Sequence, residues 1–173
     1  MADAGRSRTQ WLKRPLCRRY VLTFFDVAVA RLREGEGLRD LPVHWAFGWL
    51  IDGEGEALGA WMDSGDGSVD PVRLLADIQA RGVERTGYLA GTGTCSGIDE
   101  ARVSRSVQLE AEQVSARLNR AIRRHGSFET GAAVLDFMVD ALQRAERRLD
   151  RERLVVKGRA RLDSGVQMAP VGL

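Results

Sequence analysis

The first part of the chain alternates between apolar runs and short polar turns. Residues 20–30 (YVLTFFDVAVA) are apolar on both alternating sets and rich in β-branched and aromatic residues, which predicts a strand buried on both faces. Residues 43–51 repeat this character. A third apolar run, 56–62, follows an Asp52-Gly53 pair, and such a pair between apolar runs favours a hairpin turn. The pattern therefore predicts two strands, and a third with the run at 56–62.

Helical spacing begins at about residue 70. Asp70 can cap a helix, Pro71 suits its first turn, and apolar residues then recur at helical spacing until Gly82. Residues 87–90 predict a short strand. Because a helix precedes this strand, we expect it to lie parallel to a strand already present.

The order of the elements predicts an α/β protein. A three-stranded meander, a crossover helix and a parallel strand form the front of an RNase H-like mixed sheet, although other α/β layouts contain parts of the same order. Two amphipathic C-terminal helices follow. The predicted divisions are a basic N-terminal arm at 1–19, the RNase H-like sheet and crossover helix at 20–100, the C-terminal helices at 101–157, and a loose tail at 158–173.

Composition narrows the class of protein only slightly. The 26 Lys and Arg against 24 Asp and Glu leave a net charge of +2, which does not by itself argue for a nucleic-acid partner. The N-terminal arm is basic, with Asp3 as its one acid, so it would suit a phosphate backbone or simply be solvated. Cys17 and Cys95 are isolated, which indicates a reducing cytoplasm, and no apolar run suits a membrane span or a signal peptide. We expect a cytoplasmic protein that makes no membrane contact.

Asp26 lies inside the first apolar run. An ionised carboxylate in a dry interior is costly unless it is paired, exposed at an edge or bound to a cation. Two interpretations are open. Asp26 is either a metal ligand on the first strand of a nuclease-like site with two Mg²⁺ ions, or the start of a bend after a strand that ends near Phe25.

A set of positions on both sides of Asp26 keeps the spacing of a known family. The set consists of Trp11, Arg14, Pro15, Leu16, Tyr20 and Asp26, then Gly48, Asp52, Gly53, Glu56, Leu58, Gly59 and Trp61, then Leu75, Asp77, Ala80, Arg81 and Gly82. Over residues 11 to 91 the chain resembles the Mutator-type insertion-sequence transposases. The resemblance implies a DDE-type domain in which three carboxylates bind Mg²⁺ to cut and join DNA, with Asp26 as the first catalytic, metal-binding carboxylate.

The other two carboxylates that the resemblance implies are replaced in this chain. Thr92 or Gly93 stands at the position of the second Asp, and Ala116 at that of the Glu. Neither a hydroxyl nor a missing side chain replaces a carboxylate on Mg²⁺. Glu112 or Asp99 would have to lie close to the lost positions, since a misplacement of about 1 Å costs roughly 100-fold in rate. We therefore expect a transposase-like protein with impaired catalysis.

The resemblance also implies partners. DNA at element ends is the expected ligand, and a second copy of the chain or a full-length transposase is the expected protein partner. The candidate DNA-binding residues are Arg117, Arg120, Arg123 and Arg124, which otherwise solvate a helix face. The alternatives to an impaired enzyme are a non-catalytic DNA-binding or transposase-interacting regulatory module, and a gene remnant without function.

Overall fold

The computed structural model describes ten helices and strands within the ranges that follow. The backbone is described for residues 3–62, 71–84, 86–90, 95–96 and 105–164, and the side chains for 8–62, 72–84, 86–87 and 106–153. In chain order the elements are α1 (Asp3–Lys13), β1 (Leu22–Glu34), β2 (Gly37–Trp49), β3 (Gly55–Trp61), α2 (Pro71–Ala80), β4 (Tyr88–Ala90), β5 (Cys95–Ser96), α3 (Arg105–His125), β6 (Ser127–Phe128) and α4 (Gly131–Ser164).

Strand β1 lies at the centre of a mixed sheet. β2 pairs with it antiparallel along its whole length, after a turn at Gly35, whose φ of 63° suits glycine. β3 then pairs antiparallel with β2, and β4 pairs parallel with the other edge of β1. The sheet order is β3-β2-β1-β4-β5, with β6 beside β1. The α/β class is confirmed, and so are the predicted meander, the helix that follows it and the parallel strand.

Helices cover both faces of the sheet because both alternating sets of β-strand residues are apolar. The larger core lies between the sheet and helices α3 and α4, and its largest fully buried side chains include Trp45, Trp49, Phe47, Leu118 and Leu142. The smaller core joins the opposite face to α2 and to the segment before β1, and consists of Leu16, Tyr20, Ala46, Leu58, Ile78 and Val83.

Helix α1 is a difference from the sequence prediction. It forms within the predicted basic arm, and Arg8 donates from its guanidinium to Asp136 at 2.7 Å and to the carbonyl of Ala132 at 3.0 Å, both on α4. Apolar periodicity does not detect α1, because this helix is held partly by polar contacts.

Helix α4 extends beyond the segment in which apolar residues recur at helical spacing. It continues through Ser164, beyond the start of the predicted tail at residue 158. Periodicity marks only the part of a helix that packs on a core. Residues 165–173 and the predicted cap Asp70 lie outside the described residues. The division into domains stays a prediction. None of the helices in the described ranges is long and apolar enough to cross a bilayer.

Gly48 on β2 allows the ring of Tyr20 to lie directly on the strand. A Cβ at Gly48 would come within 2.5 Å of the Cδ1 atom of Tyr20, which is buried. Gly37, at the start of the same strand, has more space, and its nearest atom would be the Glu34 carbonyl oxygen at 3.6 Å.

We predict that Gly48→Ala lowers the free energy of unfolding by about 1–3 kcal/mol, because an added methyl in a packed core forces its neighbours to move. Urea denaturation measures the change. Gly37→Ala is the matched control, and it should have a clearly smaller effect. Equal effects of the two substitutions would contradict the role assigned to Gly48.

Candidate functional site

Asp26 lies within β1, opposite Trp45 of β2 in the antiparallel register. β1 continues to Glu34, so the alternative of a bend that begins at Asp26 is wrong. The strand continues because β2 pairs with every residue of β1, and because the following even-numbered positions, such as Ala28, pack in the larger core. Asp26 therefore shares the face that α3 covers, and it is half-buried there.

Both oxygens of the Asp26 carboxylate accept hydrogen bonds from the protein. The backbone N–H of Val27 donates to Oδ1 at 2.8 Å, and the hydroxyl of Ser115 on α3 donates to Oδ2. Asn119 donates from Nδ2 to the Ser115 hydroxyl oxygen at 3.3 Å and to its carbonyl oxygen at 3.1 Å. These contacts explain why a carboxylate is tolerated on a face that is otherwise apolar.

Ser115 and Asn119 are one helical turn apart on the flank of the buried stripe of α3. The stripe itself consists of Ala111, Val114, Leu118 and Ile122. Sequence patterns alone do not single out Ser115 as a partner of Asp26. The available signal is a pair of small polar residues at i and i+4 on the edge of an apolar stripe, which also fits a solvated flank.

The end of β4 lies next to Asp26, because Ala90 is in register with Phe25. Thr92, Gly93 and Asp99, which follow along the chain, lie outside the described residues. Ala116 is exposed on α3, and so is Glu112 one turn earlier. The structure thus places the end of β4 and the middle of α3 near Asp26, and position 116 carries no carboxylate.

The described surroundings of Asp26 do not fit a divalent-metal centre. Over the described ranges, no three His, Cys, Asp or Glu side chains form a group that could hold a metal ion. The carboxylate of Asp26 already accepts a hydrogen bond at each oxygen, and its described side-chain partner, Ser115, is neutral, as is Asn119, which donates to Ser115. Divalent metal sites in nucleases need several oxygen ligands, usually with more than one carboxylate.

The four candidate DNA-binding arginines do not form one surface. Arg120, Arg123 and Arg124 are exposed on α3. Arg117 is turned towards α4, where its Nη2 lies 3.7 Å from Glu152 and donates to Gln113 at 3.3 Å. A role of all four in binding DNA stays a prediction.

The charges of the basic arm are partly compensated by acids. Arg8 pairs with Asp136 at 2.7 Å, Arg14 with Glu56 at 3.4 Å, and Arg18 with Glu84 at 2.6 Å. Arg8 and Arg14 are less than one quarter exposed. These arginines therefore fasten the N-terminal segment to the domain, which leaves fewer free charges for a phosphate backbone than the sequence suggests.

Arg81 connects three segments that carry the family-like spacing. Its side chain is 7% exposed. It donates from Nη1 to the carbonyl oxygen of Leu58 on β3 at 2.6 Å, and from Nε to that of Arg14 at 3.0 Å. Asp77 on α2 lies 3.5 Å from Nη1 and also accepts from Trp61 Nε1 at 3.2 Å. Nε and Nη1 are thereby hydrogen-bonded, whereas Nη2 is buried and has no hydrogen-bond partner among the described residues.

Tyr20 and Glu56 form a second polar contact next to Arg81. The Tyr20 hydroxyl donates to Glu56 Oε2 at 2.5 Å and accepts from the backbone N–H of Cys17 at 3.0 Å. Burial, and then the hydrogen bond to Glu56, raise the pKa of Tyr20, so its hydroxyl stays protonated and can donate. Arg14 completes the cluster by donating to the carbonyl oxygen of Ala57. We call Arg14, Tyr20, Glu56, Asp77 and Arg81 the polar cluster.

Glu146 on α4 lies near this polar cluster. Burial raises its pKa to about 7, and the charges of Glu56 and Asp150 act in the same direction. The charge of Arg14 and a backbone hydrogen bond with Ala57 oppose this shift.

Fold and site together define an α/β domain whose central strand carries a carboxylate beside the end of a parallel strand. The model of the family described as "Transposase, Mutator family" matches residues 6–114, which is more than half of the chain, so the chain belongs to the Mutator family of transposases. The resemblance inferred from residue spacing is confirmed. The match ends at Val114, so it does not include Ser115, Ala116 or the rest of α3.

Two curated relatives are similar to part of the chain. One is named a probable transposase for insertion sequence element ISRM3-like, from Sinorhizobium fredii (strain NBRC 101917 / NGR234), and the other a transposase for insertion sequence element ISRM3, from Rhizobium meliloti (strain 1021). Each is 32% identical over 75 residues, which is 43% of this chain and 19% of the relative. The aligned part therefore spans about a fifth of each relative's length.

We predict that Asp26 and Ser115 stabilise the fold as a pair. A double-mutant cycle of Asp26→Ala and Ser115→Ala should show a coupling energy of about 1 kcal/mol, because each single change leaves the other group short of a hydrogen bond. Urea denaturation of the four proteins measures it. Thr130→Ala, near β6 at the far end of β1, is the control, and it should add to Asp26→Ala without coupling. An equally additive result for Ser115 would refute the pairing.

We also predict a pH dependence of stability from Glu146. Its pKa in the folded protein, about 7, lies above its usual value of 4.5. Between these values the folded state holds a proton that the unfolded state has released, so the free energy of unfolding should fall as the pH rises through this window. Glu146→Gln should remove this part of the slope in urea titrations at several pH values. Glu36→Gln, in an exposed turn, is the control and should retain the wild-type slope.

Proposed function

We propose that this chain is a transposition-related protein with an RNase H-like sheet and impaired metal-dependent cleavage of DNA. The observation that carries the proposal is the hydrogen bonding of the Asp26 carboxylate. This carboxylate has the position expected for a first catalytic residue, yet Val27 and Ser115 satisfy its two oxygens. Its partners are donors of hydrogen bonds, whereas a catalytic metal centre needs further oxygen ligands.

The strand arrangement supports the RNase H-like assignment. An antiparallel meander, a helix and a parallel strand beside β1 are the elements with which such a sheet begins. The carboxylate on β1 lies one residue beyond the level of Ala90, the last described residue of β4. In a DDE-type domain a second carboxylate would follow this strand, and Thr92 or Gly93 stands there instead.

Mg²⁺ is the cofactor that a competent DDE-type member would use. The described residues around Asp26 do not fit it, so no chemical step is assigned to a metal here. The residues present support the proposed impairment. Ala116 offers a methyl group on an exposed helix face, and Glu112, the nearby acid, is exposed one turn away.

DNA remains the proposed ligand, with element ends as the proposed sequence. Arg120, Arg123 and Arg124 are exposed on α3 and would approach a phosphate backbone without rearrangement of the core. A second copy of the chain or a full-length transposase is the proposed protein partner. The proposed compartment is the cytoplasm, in keeping with an exposed thiol at Cys17.

The decisive experiment compares wild type with Asp26→Asn. We expect neither protein to nick supercoiled plasmid DNA in the presence of Mg²⁺ or Mn²⁺, and we expect Mn²⁺ titration by calorimetry to give the same heat for both. Asp40→Asn, the same change on an exposed part of β2, is the matched control. Nicking or Mn²⁺ binding by wild type and Asp40→Asn that Asp26→Asn abolishes would overturn the proposed impairment.

A further inference from the structure

A groove of about 200 Å³ lies between α3 and α4, away from Asp26. Its floor is apolar and consists of Leu118, Ala121, Ala141 and Ala145. Three arginines line it, Arg117 from α3 and Arg144 and Arg148 from α4. Because small alanines stand on both facing helices, the guanidinium groups have space between the helices that larger side chains would fill.

Glu152 forms ion pairs with two of the arginines that line this groove. Its carboxylate lies 2.7 Å from Arg148 Nε and 3.7 Å from Arg117 Nη2, and it is about half exposed. The pKa of Glu152 is lowered, first by the hydrogen bond from Arg148, so it stays ionised. Arg144 has no ion pair with an acid in the described ranges. Three positive charges thus face one negative charge.

Arg117 is the least exposed of the three arginines. Its Nη1 atom is buried and has no hydrogen-bond partner among the described residues. The nearest acid, Glu152, lies at 3.7 Å from the other terminal nitrogen and also binds Arg148. A guanidinium that is partly shielded from water and only partly compensated favours a further anion nearby.

We infer that the groove between α3 and α4 binds a phosphate group of a nucleic-acid backbone, with Arg144 and Arg148 as its principal donors and Arg117 supporting them. Guanidinium groups bind phosphate through paired N–H donors, which suits a site with several arginines. The apolar floor would contact the sugar edge. Glu152 competes with the phosphate for Arg148 and Arg117. The choice of nucleic acid over a free phosphate compound rests on the proposed function.

The test measures binding of two probes, a short fluorescein-labelled DNA duplex and inorganic pyrophosphate, to the full chain. In Arg144→Gln/Arg148→Gln, DNA binding should weaken, and the negative slope of log K against log salt should become shallower by about 0.9 for each lost phosphate contact. This change corresponds to about tenfold in affinity per contact near 0.1 M salt. Pyrophosphate binding should weaken as well. Arg147→Gln is the matched control, since Arg147 is exposed on the same helix and does not line the groove.

Glu152→Gln gives an opposite result that misfolding cannot imitate. Removing the competing carboxylate should tighten the binding of both probes. DNA binding whose salt slope is the same in the double variant and in Arg147→Gln would overturn the groove as the site and leave DNA binding intact. Pyrophosphate binding that depends on the groove, without any DNA binding, would overturn nucleic acid as the ligand. Neither result depends on whether Asp26 supports cleavage.

Discussion

The buried guanidinium of Arg81 joins the segments that pack on the face of the sheet opposite α3 and α4. It binds carbonyl oxygens of Leu58 on β3 and of Arg14 before β1, and it lies beside Asp77 of α2. A single charged group thus joins three segments that are distant in the sequence. Truncating such a group would leave its buried acceptors without donors, which costs far more than a surface contact. Arg81 thereby acts together with the smaller core to hold α2 and the N-terminal segment against β3.

Most of the residues that identify the family are residues that hold this fold. Tyr20, Glu56 and Arg81 hydrogen-bond within the polar cluster, and a Cβ at Gly48 or Gly59 would collide with the ring of Tyr20 or Trp61. None of these side chains needs to take part in chemistry to be required. Family membership therefore rests on the architecture, which this chain retains. Under the proposed function, catalysis would rest on a few carboxylates that are not members of the polar cluster.

The fold was largely predictable from the sequence, and the site only in part. Apolar runs and the Asp52-Gly53 turn predict the meander because burial and turn geometry leave local patterns. Helix α1 leaves no such pattern, since it is held partly through Arg8 and Asp136, which are far apart in the chain. The same limit applies to Asp26. Its isolation in an apolar run is visible, whereas its partner Ser115 is brought to it only by the packing of α3 on β1.

The hydrogen bond between Asp26 and Ser115 gives this carboxylate a role in stability that does not depend on catalysis. A half-buried carboxylate on an apolar face needs donors, and a metal ion is only one way to supply compensation. Val27 and Ser115 supply it through hydrogen bonds instead, and Asn119 donates to Ser115. This arrangement does not require a second or third acid. Under the proposed function, Asp26 can then remain for stability although the other two catalytic carboxylates are replaced. The presence of Asp26 at the expected position is therefore evidence for the fold. Evidence for metal-dependent catalysis has to come from the groups around it.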